Sequence, residues 1–245
     1  MANLVIDIGN SRTKFAVFNN RRLEKIFTDL TIEEAEALIS THQISNSILS
    51  SVKRDTAGWE EFLKENTDFL RFSAQLKTSV HIKYLTPATL GLDRLAAVIG
   101  AYALYPNRNC LVIDAGTCIT YDAVDTEGNY CGGSISPGLK MRLQAMHTFT
   151  GGLPAVELNE NFADWQGNDT VSAMLSGVVN GTRSEVLGFI EDYSSRYSNL
   201  QVLLCGGDMN FFDTRLKSSI FAQTFKTEPH LVLIGLNEVI HQHND

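Results

Sequence analysis

The apolar positions of this chain come in short runs that alternate with longer amphipathic stretches. LVIDIG, residues 4–9, is a nearly continuous apolar run closed by Asp7 and Gly9, the mark of a buried strand entering a tight turn. Two more strand-like runs follow, TKFAVF and LEKIFT, separated by the turn-forming Asn19 and Asn20, so the chain opens as three adjacent antiparallel strands. TIEEAEALISTH, residues 31–42, has helical spacing and begins as a capping box, with Thr31 as N-cap and Glu34 three residues on. NSILSSV, residues 46–52, predicts another strand, and Trp59, Phe62 and Leu63 mark the apolar side of a second helix. The plan then repeats. CLVIDAG, TCITYDAV and NYCGGSI predict strand, strand and strand, the last after a turn at Gly128 and Asn129. A long helix from about 169 to 193, a buried strand QVLLCGG at 201–207 and a closing helix over 231–243 complete the pattern.

The repeat is visible residue by residue. With Asp7 set over Asp114, residues 5–18 and 112–125 coincide at seven positions: Val5/Val112, Ile6/Ile113, Asp7/Asp114, Gly9/Gly116, Thr13/Thr120, Ala16/Ala123 and Val17/Val124. Two similar halves, each with meandering strands before its helices, predict a duplicated α/β architecture with mixed sheets flanked by helices. No Pro- or Ser-rich linker separates them, and the division expected is 1–107 and 108–245.

Composition narrows the class of partner. The chain is 44% hydrophobic and 20% charged, as expected of a globular protein. A formal net charge of -8 argues against nucleic acid held by bulk electrostatics, while leaving room for an anionic small ligand in a locally positive pocket. The strand pattern starts within a few residues of Met1 without a basic-then-apolar leader, and no apolar run reaches membrane-spanning length, so a cytoplasmic protein is expected. Cys110, Cys118, Cys131 and Cys205 are widely spaced, without a CxxC pair, and are expected to be reduced, buried, structural thiols.

The repeated turn carries the chemistry. A glycine directly after a strand lets backbone N–H groups approach a phosphate, and small hydroxyl or amide side chains add donors. Gly9, Asn10 and Ser11 supply this in the first copy, Gly116 and Thr117 in the second. A carboxylate beside a phosphate is repelled unless a cation lies between them, which makes Asp7 and Asp114 candidate ligands for the cation that travels with a nucleotide. Two such hairpins facing each other would clamp a polyphosphate, with Arg12 and Lys14 within reach. One Asp-x-Gly after a strand is ordinarily only a turn; the second copy is what raises the functional reading. A Walker-type loop, GxxxxGK[ST], is absent. Gly206 and Gly207 read either as a strand exit or as a flat backbone surface for an adenine ring.

The ordered motifs resemble a known family. D-x-G-x-x-x-x-K at 7–14 and D-x-G-T at 114–117 resemble the two phosphate motifs of the actin and sugar kinase superfamily, implying duplicated ribonuclease H-like, actin-like ATPase domains. YLTPATLGLDR (84–94), GGSISPGLKMR (132–142), TGGLP (150–154) and NDTVSAMLSGVVNG (168–181) narrow the resemblance to type III pantothenate kinase. That resemblance implies transfer of the γ-phosphoryl of ATP, with Mg²⁺, to pantothenate, giving 4'-phosphopantothenate in the first step of coenzyme A biosynthesis. It implies ATP binding by Asp7, Ile8, Gly9, Asn10, Ser11, Arg12, Thr13, Lys14 and Thr117. Asp114 matches the aspartate associated with a monovalent cation, K⁺ or NH₄⁺. Substrate binding falls to Tyr84, Gly91, Leu92, Asp93, Arg94 and Thr170, with Asp93 as general base. The family pattern also implies a homodimer whose substrate pocket is completed at the interface. Ser11 stands where the family usually has threonine, which keeps the hydroxyl. Two bland readings stand beside these: Asp93 as a helix N-cap and Arg94 as a surface ion pair. Two other functions stay open, a non-catalytic transcription-accessory regulator on the same fold and another small-molecule kinase of the superfamily.

Overall fold

A computed structural model describes residues 1–9, 12–52, 55–217, 221 and 224–244. The chain runs through β1 (Ala2–Ile8), β2 (Thr13–Asn19), β3 (Arg22–Thr28), α1 (Ile32–His42) and β4 (Ile44–Ser51). It continues with α2 (Ala57–Asn66), β5 (Asp68–Arg71), β6 (His81–Ile82), a 3-10 turn at Pro87–Thr89 and α3 (Leu92–Leu104). Then come β7 (Cys110–Ala115), β8 (Cys118–Val124), β9 (Asn129–Pro137), α4 (Leu139–Phe149) and α5 (Thr170–Arg196). β10 (Gln201–Cys205), α6 (Met209–Leu216), β11 (Phe225–Thr227) and α7 (Leu231–Asn244) complete it. None of the helices among the described residues is long and apolar enough to cross a membrane.

Two compact units emerge. The first contains residues 1–107, 126–131 and 230–245, the second residues 108–125 and 132–229. The closing helix α7, counted with the second half in the sequence, thus packs within the first unit. Its reason is a ladder of amide hydrogen bonds: Asn237 Nδ2 donates to the Asn20 carbonyl at 2.9 Å, Asn3 Nδ2 donates to Asn237 Oδ1 at 2.9 Å, and Asn46 Nδ2 donates to Asn3 Oδ1 at 3.1 Å. Asn3, Asn46 and Asn237 are all buried, so breaking one rung leaves a desolvated amide at a cost of about 1–3 kcal/mol. α7 also lies directly against α3, where a Cβ on Gly235 would overlap the Ala96 carbonyl.

The first unit holds a five-stranded sheet in the order β3-β2-β1-β4-β5. β1 pairs antiparallel with β2 and parallel with β4, and the parallel step is made by α1 as crossover. α1 starts as the sequence pattern predicts: Glu34 N donates to Thr31 Oγ1 at 3.3 Å and Thr31 N donates to Glu34 Oε2 at 2.8 Å. Leu4, Ile6, Ile8, Phe15 and Val17 form one cluster with Ala35, Leu38, Ile39, Phe62 and Leu63 of α1 and α2. In the second unit the strand order is β11-β10-β7-β8-β9. Leu111, Ile113, Ala115, Ile119 and Tyr121 pack with apolar residues of α4, α5 and α6. The first residues of β9 belong to the first unit, where Asn129 and Tyr130 pair with His81 and Ile82.

The register corrects the apparent repeat. In the first unit Asp7 lies opposite Lys14 and Ile8 opposite Thr13; in the second, Asp114 lies opposite Thr120 and Ala115 opposite Ile119. The second connection is therefore one residue shorter. A shift of one residue turns every side chain of a strand to the other face. Val17 pairs with Leu4 on the face of its apolar cluster, whereas Val124 pairs with Cys110, beside rather than opposite Leu111. The identities in β1 and β7 are equivalent in space, but Thr13/Thr120, Ala16/Ala123 and Val17/Val124 are not.

Candidate active site

The first hairpin presents a charged pair. Asp7 and Lys14 are direct cross-strand partners, so both side chains stand on one face at the mouth of the turn, and both are half-buried. Ile8 is buried in the apolar cluster and anchors the strand end. The Gly9 N–H closes the turn on the Arg12 carbonyl at 3.1 Å, and Arg12 is exposed. Beyond the turn, Thr13 N donates to Asp29 Oδ1 at 2.9 Å while Asp29 N donates to the Thr13 carbonyl at 2.9 Å. Asn10 and Ser11 lie outside the described residues.

The second hairpin is tighter and apolar around its tip. The Gly116 N–H donates to the Cys118 carbonyl at 2.9 Å, which leaves Thr117 exposed at the apex. Asp114 sits half-buried at the strand end, with the backbone of Gly206 pressed against it. Gly206 has φ +90°, and a Cβ there would overlap Asp114 Oδ1 and the Ala115 carbonyl; only glycine combines that backbone with that approach. Asp208, two residues on, donates its N–H to the Ala115 carbonyl at 2.8 Å. Its carboxyl is raised above the usual range chiefly by burial, against the pull of Lys140. Lys140, Leu143, Gln144, Val156, Glu157, Leu158 and Glu160 line a cavity of about 450 Å³ in the same unit.

The GLDR segment gathers a third group of residues, within the first unit. Gly91 is the N-cap of α3 and Leu92 its first residue. Asp93 falls in the first turn, so it is not the cap; instead its Oδ1 accepts from Arg94 N at 2.8 Å. Arg94 is not a surface charge either, being only 7% exposed, with its guanidinium 5.9 Å from the centre of the Tyr84 ring. Tyr84 in turn stacks on Tyr130 with centroids 6.5 Å apart. The structure thus brings Tyr84, Gly91, Asp93 and Arg94 together. Thr170 belongs to the second unit, exposed on the first turn of α5, which Asp169 caps by accepting from Val171 N at 2.9 Å and Ser172 N at 3.0 Å.

Pattern reading missed one cluster. Glu185 of α5 accepts from Tyr121 Oη at 3.0 Å and Ser136 Oγ at 2.6 Å through one oxygen, and from Arg142 Nη2 at 2.6 Å through the other. These donors outweigh the burial of the carboxyl and hold it below the usual carboxylate range. The signal available in the sequence was Ser136 and Arg142 within GGSISPGLKMR; nothing marked Glu185. The expectation of uniformly buried cysteines also needs correction: Cys110 and Cys205 are buried, Cys118 is partly exposed and Cys131 exposed. Burial pushes the Cys110 thiol up to about 12.

Two mixed sheets, each flanked by helices, give the chain an actin-like ATPase fold. Among solved structures, a glucokinase from an Antarctic psychrotroph is similar with a TM-score of 0.54 and 14% identity, covering 98% of this chain and 99% of that one. A protein from Campylobacter jejuni described as a Baf family transcriptional activator is similar with a TM-score of 0.60 and 22% identity, covering 98% of each chain. At those identities the likeness concerns fold alone. The profile of the family "Type III pantothenate kinase" matches residues 3–192. A type III pantothenate kinase of Bacteroides fragilis is 40% identical over 245 residues, covering 99% of this chain and 98% of its own. The Flavobacterium johnsoniae one is 39% identical over 234 residues, covering 90% and 92%. The chain belongs to the type III pantothenate kinase family.

Proposed function

We infer that the protein transfers the γ-phosphoryl group of ATP to pantothenate, producing phosphopantothenate for coenzyme A biosynthesis in the cytoplasm. The observation that carries the acceptor half is the grouping of Asp93, Arg94 and Tyr84 at the start of α3 in a chain of this family. Pantothenate is a small anion with a primary hydroxyl. Arg94, buried and held over an aromatic face, is suited to the anion, and Asp93 to the hydroxyl proton. We assign Gly91 and Leu92 to shaping that end of the pocket and Thr170 to a further substrate contact.

The reaction is a single displacement. The hydroxyl oxygen of pantothenate forms a bond to the γ-phosphorus as the bond to the β–γ bridging oxygen breaks, its electron pair leaving on ADP, and the hydroxyl proton passes to Asp93. We assign the ATP phosphates to Asp7, Ile8, Gly9, Asn10, Ser11, Arg12, Thr13, Lys14 and Thr117: backbone N–H groups and hydroxyls as donors, Lys14 as counter-charge. The adenine is assigned to the Gly206–Gly207 backbone beside the cavity lined by Lys140 and Glu160.

Among the described residues no group of three or more His, Cys, Asp or Glu is arranged to hold a metal alone. That suits magnesium carried in by the nucleotide, which takes one or two protein carboxylates and completes its shell with phosphate oxygens and water. Asp7, half-buried beside the Gly9 turn, fits as that carboxylate. Asp114, with the Gly206 backbone packed against it and Thr120 as its cross-strand neighbour, is assigned to a monovalent cation, K⁺ or NH₄⁺. Bound magnesium would neutralise charge on the phosphates. We also propose a homodimer that completes the substrate pocket; Phe149 and Trp165, 84% and 80% exposed, are large apolar side chains awaiting cover.

The test is turnover of radiolabelled pantothenate with ATP, magnesium and potassium. Wild-type protein should form phosphopantothenate, and Asp93→Asn should lower kcat by roughly a hundred- to ten-thousandfold with unchanged thermal stability. No product from wild type across these cations rejects the substrate; an Asp93→Asn enzyme that turns over as fast as wild type rejects the base.

A further inference from the structure

The turn that carries Thr117 has little structure of its own. It is tied internally by the Gly116 N–H to the Cys118 carbonyl, and its apex is exposed. What it leans on is the end of β9. Gly138 N donates to the Thr117 carbonyl at 3.0 Å, and a Cβ on Gly138 would overlap the carbonyls of Gly116 and Thr117. The two backbones are in direct contact there, so the position of Ser136, Pro137 and Gly138 sets the position of Thr117.

That segment is fixed from the other side by charge. Arg142 Nε donates to the Pro137 carbonyl at 2.8 Å and its Nη2 lies 3.3 Å from Ser136 Oγ, while Ser136 Oγ donates to Glu185 at 2.6 Å. Glu185 is the hub: it receives Ser136, Arg142 and the Tyr121 hydroxyl, and Tyr121 is itself held by stacking on Phe189 at 3.9 Å between centroids. Both Tyr121 and Thr117 belong to the second hairpin, so Glu185 grips that hairpin through β8 and, through β9, at its tip. Charge-assisted bonds of this kind are short and directional, which suits them to holding backbone in place.

We propose that Glu185 is a positioning residue for the nucleotide: with Arg142 and Ser136 it holds the Ser136–Gly138 segment as a backstop that aims Thr117. The inference rests on Thr117 contacting ATP, as assigned above, and on nothing about pantothenate.

Affinity for a non-hydrolysable ATP analogue with magnesium, measured by calorimetry, tests it through a double-mutant cycle. Glu185→Gln should weaken the analogue about tenfold in the wild-type background, the scale of indirect couplings, and by less than about twofold in Thr117→Ala protein. In turnover assays Glu185→Gln should raise KM for ATP and lower kcat while leaving KM for pantothenate in place. Amide exchange at residues 116–118 and 138 should quicken selectively. Should Glu185→Gln fail to fold, Ser136→Ala and Arg142→Lys remove single contacts of the same hub and serve in its place. Equal losses in both backgrounds, or unaltered analogue binding in Glu185→Gln, overturn the inference. Wild-type protein that binds the analogue yet ignores pantothenate rejects the substrate reading alone and leaves the cycle decisive.

Discussion

The two hairpins begin alike and end differently. β1 and β7 carry the same Val-Ile-Asp run into the same glycine, and each buries its alternate residues in an apolar cluster of its own unit. From the glycine onward they part. The first spans residues 9–12 between paired strand ends and sets Lys14 opposite its aspartate; the second spans 116–118 and sets Thr120 there. The carboxylate of the first copy thus faces an ammonium and that of the second a hydroxyl. The first pair matches the assignment of Asp7 and Lys14 to magnesium and phosphate proposed above, and Asp114 is the residue proposed there for the monovalent ion. The supports differ as well. The first hairpin is tied at Thr13 to the exposed Asp29, the second at Thr117 to a backbone segment held by a partly buried ion pair.

The comparison breaks most readily at its first aspartate. Asp7→Asn keeps the volume and removes the charge that would take magnesium, so kcat should fall on the order of a hundredfold or more, as for other ligand and charge-stabilising groups. An Asp7→Asn enzyme with wild-type turnover would mean the first hairpin does not handle the metal, and the contrast with Asp114 would collapse.

The parts of this picture that sequence made legible are local. Thr31 and Glu34, Gly9 and Gly116, and the Gly91 to Arg94 run all declare themselves within a few residues, because capping and turns depend on short-range geometry. The register difference was hidden because Thr, Ala and Val recur at matching numbers in both copies, and letters carry no record of which face they occupy. Glu185 was hidden because its partners Arg142, Ser136 and Tyr121 are 43, 49 and 64 residues away. The placement of α7 was hidden likewise: the Asn3–Asn237 bond spans 234 residues, and the amphipathic pattern of a helix does not say which sheet it covers. β5 and β11, four and three residues long, are too short for periodicity to register.

Asp114→Asn sharpens the comparison at intermediate size. If the second aspartate serves a monovalent ion, the potassium concentration for half-maximal rate should rise roughly tenfold or more, while the magnesium dependence stays where it was. The measurement is initial rate against potassium at saturating magnesium, then the reverse. Equal shifts in both dependences would show one shared cation site and erase the division of labour.

The smallest expected effect concerns the support of the second hairpin, and it is a matter of stability and pH. The Glu185 carboxyl sits below its ordinary range because three donors favour its ionised form over the burial that opposes it. A folded-state pKa below the unfolded one means the contribution is complete above the ordinary carboxylate range. It is lost as pH falls through the lowered folded value, since the unfolded chain then takes the proton first. Glu185 and Arg142 are 25% and 24% exposed, so solvent screens the pair and the contribution should be about 1 kcal/mol rather than that of a buried pair. Melting curves of wild type and Glu185→Gln between about pH 6 and pH 3 should therefore converge toward the acid end, the wild type falling more steeply. Parallel curves for Glu185→Gln and wild type would mean that the ion pair does not hold the Thr117 backstop, and the two hairpins would then differ in chemistry but not in how they are supported.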